Sequence, residues 1–323
     1  MKLLSLAMAT LAATAAFFAQ AQDYPSRPVR LVVPYAAGGG VDAAARIVAQ
    51  HLTTAMGQNF IVDPKPGGGT IVGSELVARA PADGYTLLMT GGSTLTLVSL
   101  THQGKLPFDP LNDFTPVGMV VRIPFFLVAS ASQPYKSVQE LMEAAKAKPG
   151  TIAYASNGIG GVTHVGTELL LQNAGAQMVH VPYQGFAPAL SDLVTGRVSM
   201  VMADLPPVSG QLQAGTLRAL AVASDERSRF KPDVPTLAET GYPNSVAESW
   251  LAVFAPAKTP PEIVTRIANE LNRLGASPAG REAFAKLGHE SYTGNGDAVR
   301  KRLLEEQKSF APAVRAAGLS NGK

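Results

Sequence analysis

The residues best placed to do chemistry in this chain lie in two glycine-rich runs. Pro34–Arg46 reads PYAAGGGVDAAAR, and Ser156–His164 reads SNGIGGVTH. Each follows a short apolar run and precedes a segment of helical periodicity. A helix N-terminus presents unpaired backbone N–H groups and a partial positive charge. Glycine lets the backbone approach a ligand closely, because no Cβ intervenes. Gly38–Gly40 and Gly158–Gly161 can therefore each offer two or more donors to an anion. A hydrogen bond to a charged group contributes about 1.5–3 kcal/mol, so four give about 6–12 kcal/mol before ordering costs. Micromolar affinity needs about 8 kcal/mol. Backbone donors alone can hold a small carboxylate or phosphate, with no arginine required.

The nucleotide reading of these turns finds little support. No Gly-Lys-Ser or Gly-Lys-Thr occurs, so a phosphate-binding P-loop is absent. Gly158-Ile159-Gly160 begins a dinucleotide fingerprint, but Thr163 stands where its third glycine belongs. Purely structural turns remain open, since glycine also serves tight turns without a ligand. Catalysis is equally poorly supported: there is no cysteine and no G-x-S-x-G elbow. The five histidines, at 51, 102, 164, 180 and 289, are not spaced as metal ligands. No cofactor and no metal are expected. A formal charge of +3 without a basic, aromatic-interleaved stripe argues against nucleic acid.

The elements that must position the two turns follow from the pattern of apolar residues. Val29–Val33, Phe60–Val62 and Tyr85–Met89 read as strands, with helices over Val41–Met56 and Ile71–Ala80. Gly91–Pro116 reads mostly as loop, and Val117–Ser130 as one buried strand. The alternation then repeats. Val138–Lys148, Thr163–Ala174, Pro188–Thr195 and Val208–Ala214 read as helices. Ile152–Ala155, Met178–Val181, Val198–Ala203 and Leu217–Ala223 read as strands. Ala247–Phe254 is another apolar run, and three helices (Pro261–Leu274, Ala279–Lys286, Ala298–Ala317) close the chain. Such alternation predicts α/β architecture with parallel sheets. Two similar halves predict a two-lobed molecule with a cleft between the lobes, where the strand ends and both turns meet. The chain crosses near Val121–Phe126 and Ser245–Trp250, which sets the lobes at 22–123 with 250–323, and 124–249.

The N-terminus adds a compartment. Met1-Lys2, the apolar run Leu3–Phe18 and Ala19-Gln20-Ala21 have the form of a signal peptide over 1–21. The run is short for a membrane span of about 20 residues. Export to the periplasm is expected.

Pro34–Arg46, as P-Y-x-x-G-G-x-x-D-x-x-A-R, resembles the opening motif of the Bug receptors, the periplasmic solute-binding proteins of tripartite tricarboxylate transporters. Further stretches match in order: Lys65-Pro66-Gly67, Ala80–Leu88, Asp109 with Asp113–Val117, Tyr154–Gly160 with His164, and Val181-Pro182-Tyr183 with Gly185. Pro188-Ala189, Asp192-Leu193, Leu217–Val222 and Ala255–Pro260 complete a resemblance that covers the chain from about Tyr24 onward. It implies a flytrap-like protein that captures a small organic carboxylate between two loops, and returns it unchanged. It also implies a membrane transporter complex or a sensor ectodomain as partner, and a monomer. An exported α/β enzyme acting on a similar anion is the competing reading.

Carried onto this sequence, the resemblance makes the first loop Tyr35–Asp42 and the second Ser156–His164. The ligand-binding candidates are Tyr35, Ala37, Gly38, Gly39 and Asp42 in the first, and Ser156, Asn157, Gly158, Gly160, Thr163 and His164 in the second. Ser93 and Asp204 stand beside them. Each has a plainer role open to it. Asp42 suits a helix start, Ser156, Asn157 and Thr163 are common caps, Asp204 can cap the turn after its strand, and Tyr35 can simply pack. His164 is expected to donate from behind the site. Trp250 reads as core, and Arg300–Lys308 as a solvated helix face. Three departures make the cleft less polar: Pro64 and Thr70 replace an asparagine and a glycine, Gln184 replaces Lys or Arg, and Val41 replaces a hydroxyl residue. They point to a ligand with few charges and some apolar surface.

Overall fold

The computed structural model describes residues 24–320; the signal-peptide expectation lies outside them. The chain opens with β1 (Val29–Val33), α1 (Gly40–Met56), β2 (Phe60–Pro64) and α2 (Ile71–Ala78). β3 (Thr86–Gly91), α3 (Gly92–Thr101) and β4 (Phe114–Ile123) follow. It then builds β5 (Phe126–Ser130), α4 (Val138–Ala147), β6 (Ala153–Ser156), α5 (Val162–Ala174) and β7 (Val179–Pro182). α6 (Phe186–Val194), β8 (Met200–Ala203), α7 (Ser209–Gln213) and β9 (Leu217–Val222) complete that part. β10 (Ser249–Pro256), α8 (Pro261–Ala276), α9 (Pro278–Ala285), β11 (Glu290–Asn295) and α10 (Gly296–Ala316) end the chain.

These strands form two sheets, ordered β11-β4-β10-β3-β1-β2 and β7-β6-β8-β5-β9. The fold is α/β and two-lobed. The sheets are mixed rather than parallel. β1 runs parallel to β2 and β3, and β6 to β7 and β8. β10, however, lies antiparallel between β3 and β4, and β5 antiparallel to β8 and β9. The strands that carry the chain between lobes must leave and return, so they reverse direction. The expected single strand over 117–130 is two, broken at Pro124-Phe125 where the chain changes sheet.

α1 shows why the first lobe folds as it reads. Ala44, Ala45, Val48, Ala49, Leu52 and Met56 are buried on one face, the spacing an amphipathic helix requires. Gly57, left-handed at φ +72°, stops it. α3, within the stretch expected to be loop, has the opposite character. Leu95, Thr96, Leu97, Val98 and Leu100 are all buried, so no polar face betrays it. Its start depends on Gly92, where an added Cβ would stand 2.0 Å from the Trp250 ring. β11, unforeseen because ESYTGN is polar, gains its place by pairing with β4.

An apolar seam joins the lobes: Leu97 and Leu100 of α3, Val165 and Leu169 of α5, and Phe310, Ala313 and Val314 of α10. Beside it the charged run of α10 is only half solvated. Glu306 is buried and accepts from Trp250 Nε1 at 2.7 Å and Ser93 Oγ at 2.9 Å. Arg302 bridges Glu306, Glu248 and Asp225 at 3.3, 3.2 and 2.9 Å. The run faces both water and the chain crossing, because Glu306 and Arg302 share one turn of the helix.

Candidate functional site

The first turn leaves the carboxyl end of β1. Tyr35 is half-buried, and its hydroxyl accepts from the Gly91 amide at 3.2 Å, tying the turn to the end of β3. Ala37, Gly38 and Gly39 are exposed. Gly38 needs its left-handed φ of +87°. Its amide donates to Asp42 Oδ2 at 3.0 Å, and Arg46 closes on the same carboxylate at 2.9 and 3.2 Å. The Arg46 hydrogen bond, then the Gly38 amide, hold the buried Asp42 carboxyl below the usual carboxylate range.

The second turn leaves the carboxyl end of β6 and is held without charge. Ser156 is buried, with Oγ 2.6 Å from His180 Nε2 and accepting from the Gly158 amide at 3.2 Å. Thr163 Oγ1 accepts from the Asn157 amide at 3.2 Å, and His164 Nδ1 from the Gly160 amide at 3.0 Å. Gly158 and Gly160 have φ of +138° and +76°. The His164 and His180 rings stack at 3.7 Å, with Tyr154 beyond His180 at 5.0 Å. Burial, assisted by His180, pushes the His164 imidazole down to about 4.

Four expectations change here. The amides of Gly38, Gly158 and Gly160 are spent inside the turns, so these glycines shape the loops rather than offer donors. Ser156, Asn157 and Thr163 cap no helix, since the N-cap of α5 is Gly161. His164 accepts at Nδ1 instead of donating there. Ser93 also lies elsewhere: its hydroxyl is buried against Glu306 and the Glu248 carbonyl, within the network at the chain crossing.

What remains open to a ligand is the start of each helix. Gly39 caps α1 at φ −81°, ψ 172°, and Gly161 caps α5 at φ −74°, ψ 167°. Neither supplies a side chain, so the first-turn amides keep no cap. Asp204, half-buried at the end of β8, has its carboxyl pushed up by burial. The turn after it reaches the first lobe, where an added Cβ at Gly288 would stand 2.3 Å from Pro206. A cavity of about 300 Å³ lies between the lobes, lined by Gly69, Thr94, Thr101, Gly160 and Gly161 among others. Among the described residues no cluster of three His, Cys, Asp or Glu is placed to hold a metal ion. No described helix is long and apolar enough to cross a membrane.

Sequence reasoning missed two histidines. His180 supports Ser156 from β7, and only pairing of β6 with β7 brings it there. His289 sets its ring 3.7 Å from where a Gly40 Cβ would stand, beside the start of α1. No spacing in the sequence signals either one.

Comparison with known proteins gives the family. Residues 44–319 match the model of the tripartite tricarboxylate transporter family receptor. Protein BugT of Bordetella pertussis is 37% identical over 298 residues, which cover 92% of this chain and 91% of that protein. Among solved structures, R. palustris Rpa4515 with adipate superposes with a TM-score of 0.75 at 33% identity, covering 92% of this chain and 99% of the other. MatC from Rhodopseudomonas palustris with bound malate gives 0.72 at 28% identity, covering 90% and 100%. With the ordered motifs, the two-lobed α/β fold and these matches together, the chain belongs to the tripartite tricarboxylate transporter receptor family.

Proposed function

We propose that this receptor captures a small organic carboxylate between Tyr35–Asp42 and Ser156–His164 and returns it unchanged. The observation that carries this is the matched pair of uncapped helix starts, Gly39 of α1 and Gly161 of α5, at the ends of β1 and β6. Helix starts of this kind favour anions through their free amides and dipole. Adipate and malate in two relatives support the same ligand class. Of the sequence candidates, Tyr35, Ala37, Gly39, Asn157 and Asp204 remain as contacts. Gly38, Asp42, Ser156, Gly158, Gly160, Thr163 and His164 hold the turns in shape. The cation beside the first turn, Arg46, is already paired with Asp42, which favours a ligand with few charges. Export follows cleavage after Ala21, and the monomer passes its ligand to a membrane transporter or a sensor.

A thermal-shift screen over mono-, di- and tricarboxylates at millimolar concentration tests the reading. Stabilisation follows RT ln(1 + [L]/Kd), about 2.7 kcal/mol at a hundredfold excess over Kd. A clear shift with a mono- or dicarboxylate is expected. Tighter binding of citrate overturns the low-charge ligand, no shift with any carboxylate overturns the receptor reading, and turnover of the ligand establishes the enzyme instead.

A further inference from the structure

The cavity of about 300 Å³ between the lobes has an apolar wall that capture of a carboxyl group leaves unused. One side is Ile159 of the second turn, with Val162 at the head of α5; the other is Leu97 and Val98 of α3, with Leu319 beside them. Ile159 is 68% exposed. A lone exposed apolar side chain is ordinary on a surface, but this one joins four others around a single cavity. None of the lining residues is Asp, Glu, Lys or Arg. The one histidine there, His102, has Nδ1 2.9 Å from Thr101 Oγ1, and that hydroxyl donates to the Leu97 carbonyl at 2.8 Å. Nδ1 is then the donor to Thr101. So arranged, the neutral ring is an acceptor at Nε2, the wrong partner for a second carboxylate.

The position of the cavity gives that wall a use. Gly160 and Gly161 belong to its lining, and Gly161 is the N-cap of α5, whose first-turn amides keep no cap. Thr94, also in the lining, borders the first turn: its Oγ1 and the Tyr35 hydroxyl stand 2.9 and 3.0 Å from where a Gly91 Cβ would lie. The cavity therefore adjoins both turns. A carboxylate held at the start of α5 has this space beside its remaining atoms. Ligand pockets run from about 300 to 1,000 Å³, so a cavity at the lower limit suits a short chain or a single ring.

We propose that Ile159, with Val162, Leu97, Val98 and Leu319, forms an apolar chamber for the tail of the bound carboxylate. The ligand class is then monocarboxylates that carry a short aliphatic chain or one aromatic ring. The inference rests on the carboxylate-receptor reading and names the ligand of that same site. Ile159 and Gly161 stand on one turn, so a single loop grips both the carboxyl group and the tail. Burial of apolar surface raises affinity by about fourfold for each methylene.

Calorimetry tests this with mono- and dicarboxylates of matched skeleton: butyrate and succinate, hexanoate and adipate, benzoate and terephthalate. Hexanoate or benzoate is expected to bind about tenfold tighter than butyrate, and each monocarboxylate tighter than its dicarboxylate partner. Ile159→Ser, at an exposed position, should melt like the wild type and remove most of that gain, with a smaller change for butyrate. Ile159→Leu should preserve the gain. A dicarboxylate that binds tighter than its partner overturns the inference, and so does a wild type that binds only other carboxylates. A gain unchanged in Ile159→Ser overturns it as well; if that variant instead dissolves a dimer in size-exclusion chromatography, a second copy covers the side chain. In those cases the receptor reading stands. A wild type that binds no carboxylate removes both.

Discussion

The two glycine turns, the jaws of the proposed cleft, start from the same local plan and are held by opposite means. Each is a strand, a glycine turn and a helix whose N-cap glycine has nearly the same backbone angles. The first is shaped by charge: Asp42 draws in the Gly38 amide, and Arg46, itself largely exposed, steadies the carboxylate. The second is shaped by neutral groups buried around stacked imidazoles, with Asn157, Gly158 and Gly160 amides each given a partner. A repeated motif therefore does not imply repeated energetics. The second jaw is braced from within its lobe, whereas the first hangs on one carboxylate.

The largest effect expected is at Gly160, where a leucine meets both a left-handed φ and the facing lobe. Gly160→Leu should abolish ligand binding and lower the melting temperature. Gly39→Leu sharpens the contrast, because φ there is −81° and a side chain is tolerated. Its stability should fall by no more than about 1 kcal/mol, while affinity drops tenfold or more by calorimetry. Wild-type affinity in Gly39→Leu would break the idea that the first jaw presents its backbone.

Next comes the charge itself. Asp42→Ala should weaken binding more than loss of any single arginine, and more than Ser156→Ala, since it frees the whole first turn. An arginine variant with the larger loss reverses that order.

The smallest effects separate the jaws by pH. Asp42 has a folded value below its unfolded one, so its contribution holds above about pH 4 and fades only in stronger acid. His164 is lowered to about 4 by burial, so its stabilisation is complete above pH 6.5 and is lost as pH falls from there towards 4. Glu248, at the chain crossing, runs the other way. Burial raises it to about 7 against Arg302 and Arg122, so it disfavours the fold at high pH and stops doing so as pH falls towards 4.5. Melting curves between pH 7 and 4.5 should therefore fall less steeply for His164→Gln than for wild type, and more steeply for Glu248→Gln. Parallel curves for all three would show that neither group titrates in the fold.

Much of the architecture was legible in the sequence, and particular residues show why. The alternation of apolar runs with amphipathic segments, as in Val29–Val33 and Val41–Met56, reports local period, and local period follows from backbone geometry alone. Gly38 and Gly160 likewise announced turns that only glycine enters easily. α3 escaped because burial on every side removes the polar face that periodicity needs, and β11 because its partner strand, rather than its composition, makes it a strand. The site divides in the same way. The two glycine turns came from spacing, and Asp42 from the family resemblance. The engagement of the Gly158 and Gly160 amides, the His180 support of Ser156, and Ser93 turned to Glu306 did not. The glycine amides turn on how neighbouring side chains fold back over the loop, whereas the last two depend on which distant groups the fold brings within 3 Å, partners 24 and 213 residues away. Sequence alone determined where the chain turns and what the turns can offer. Only the tertiary structure decided which of those offers were already taken.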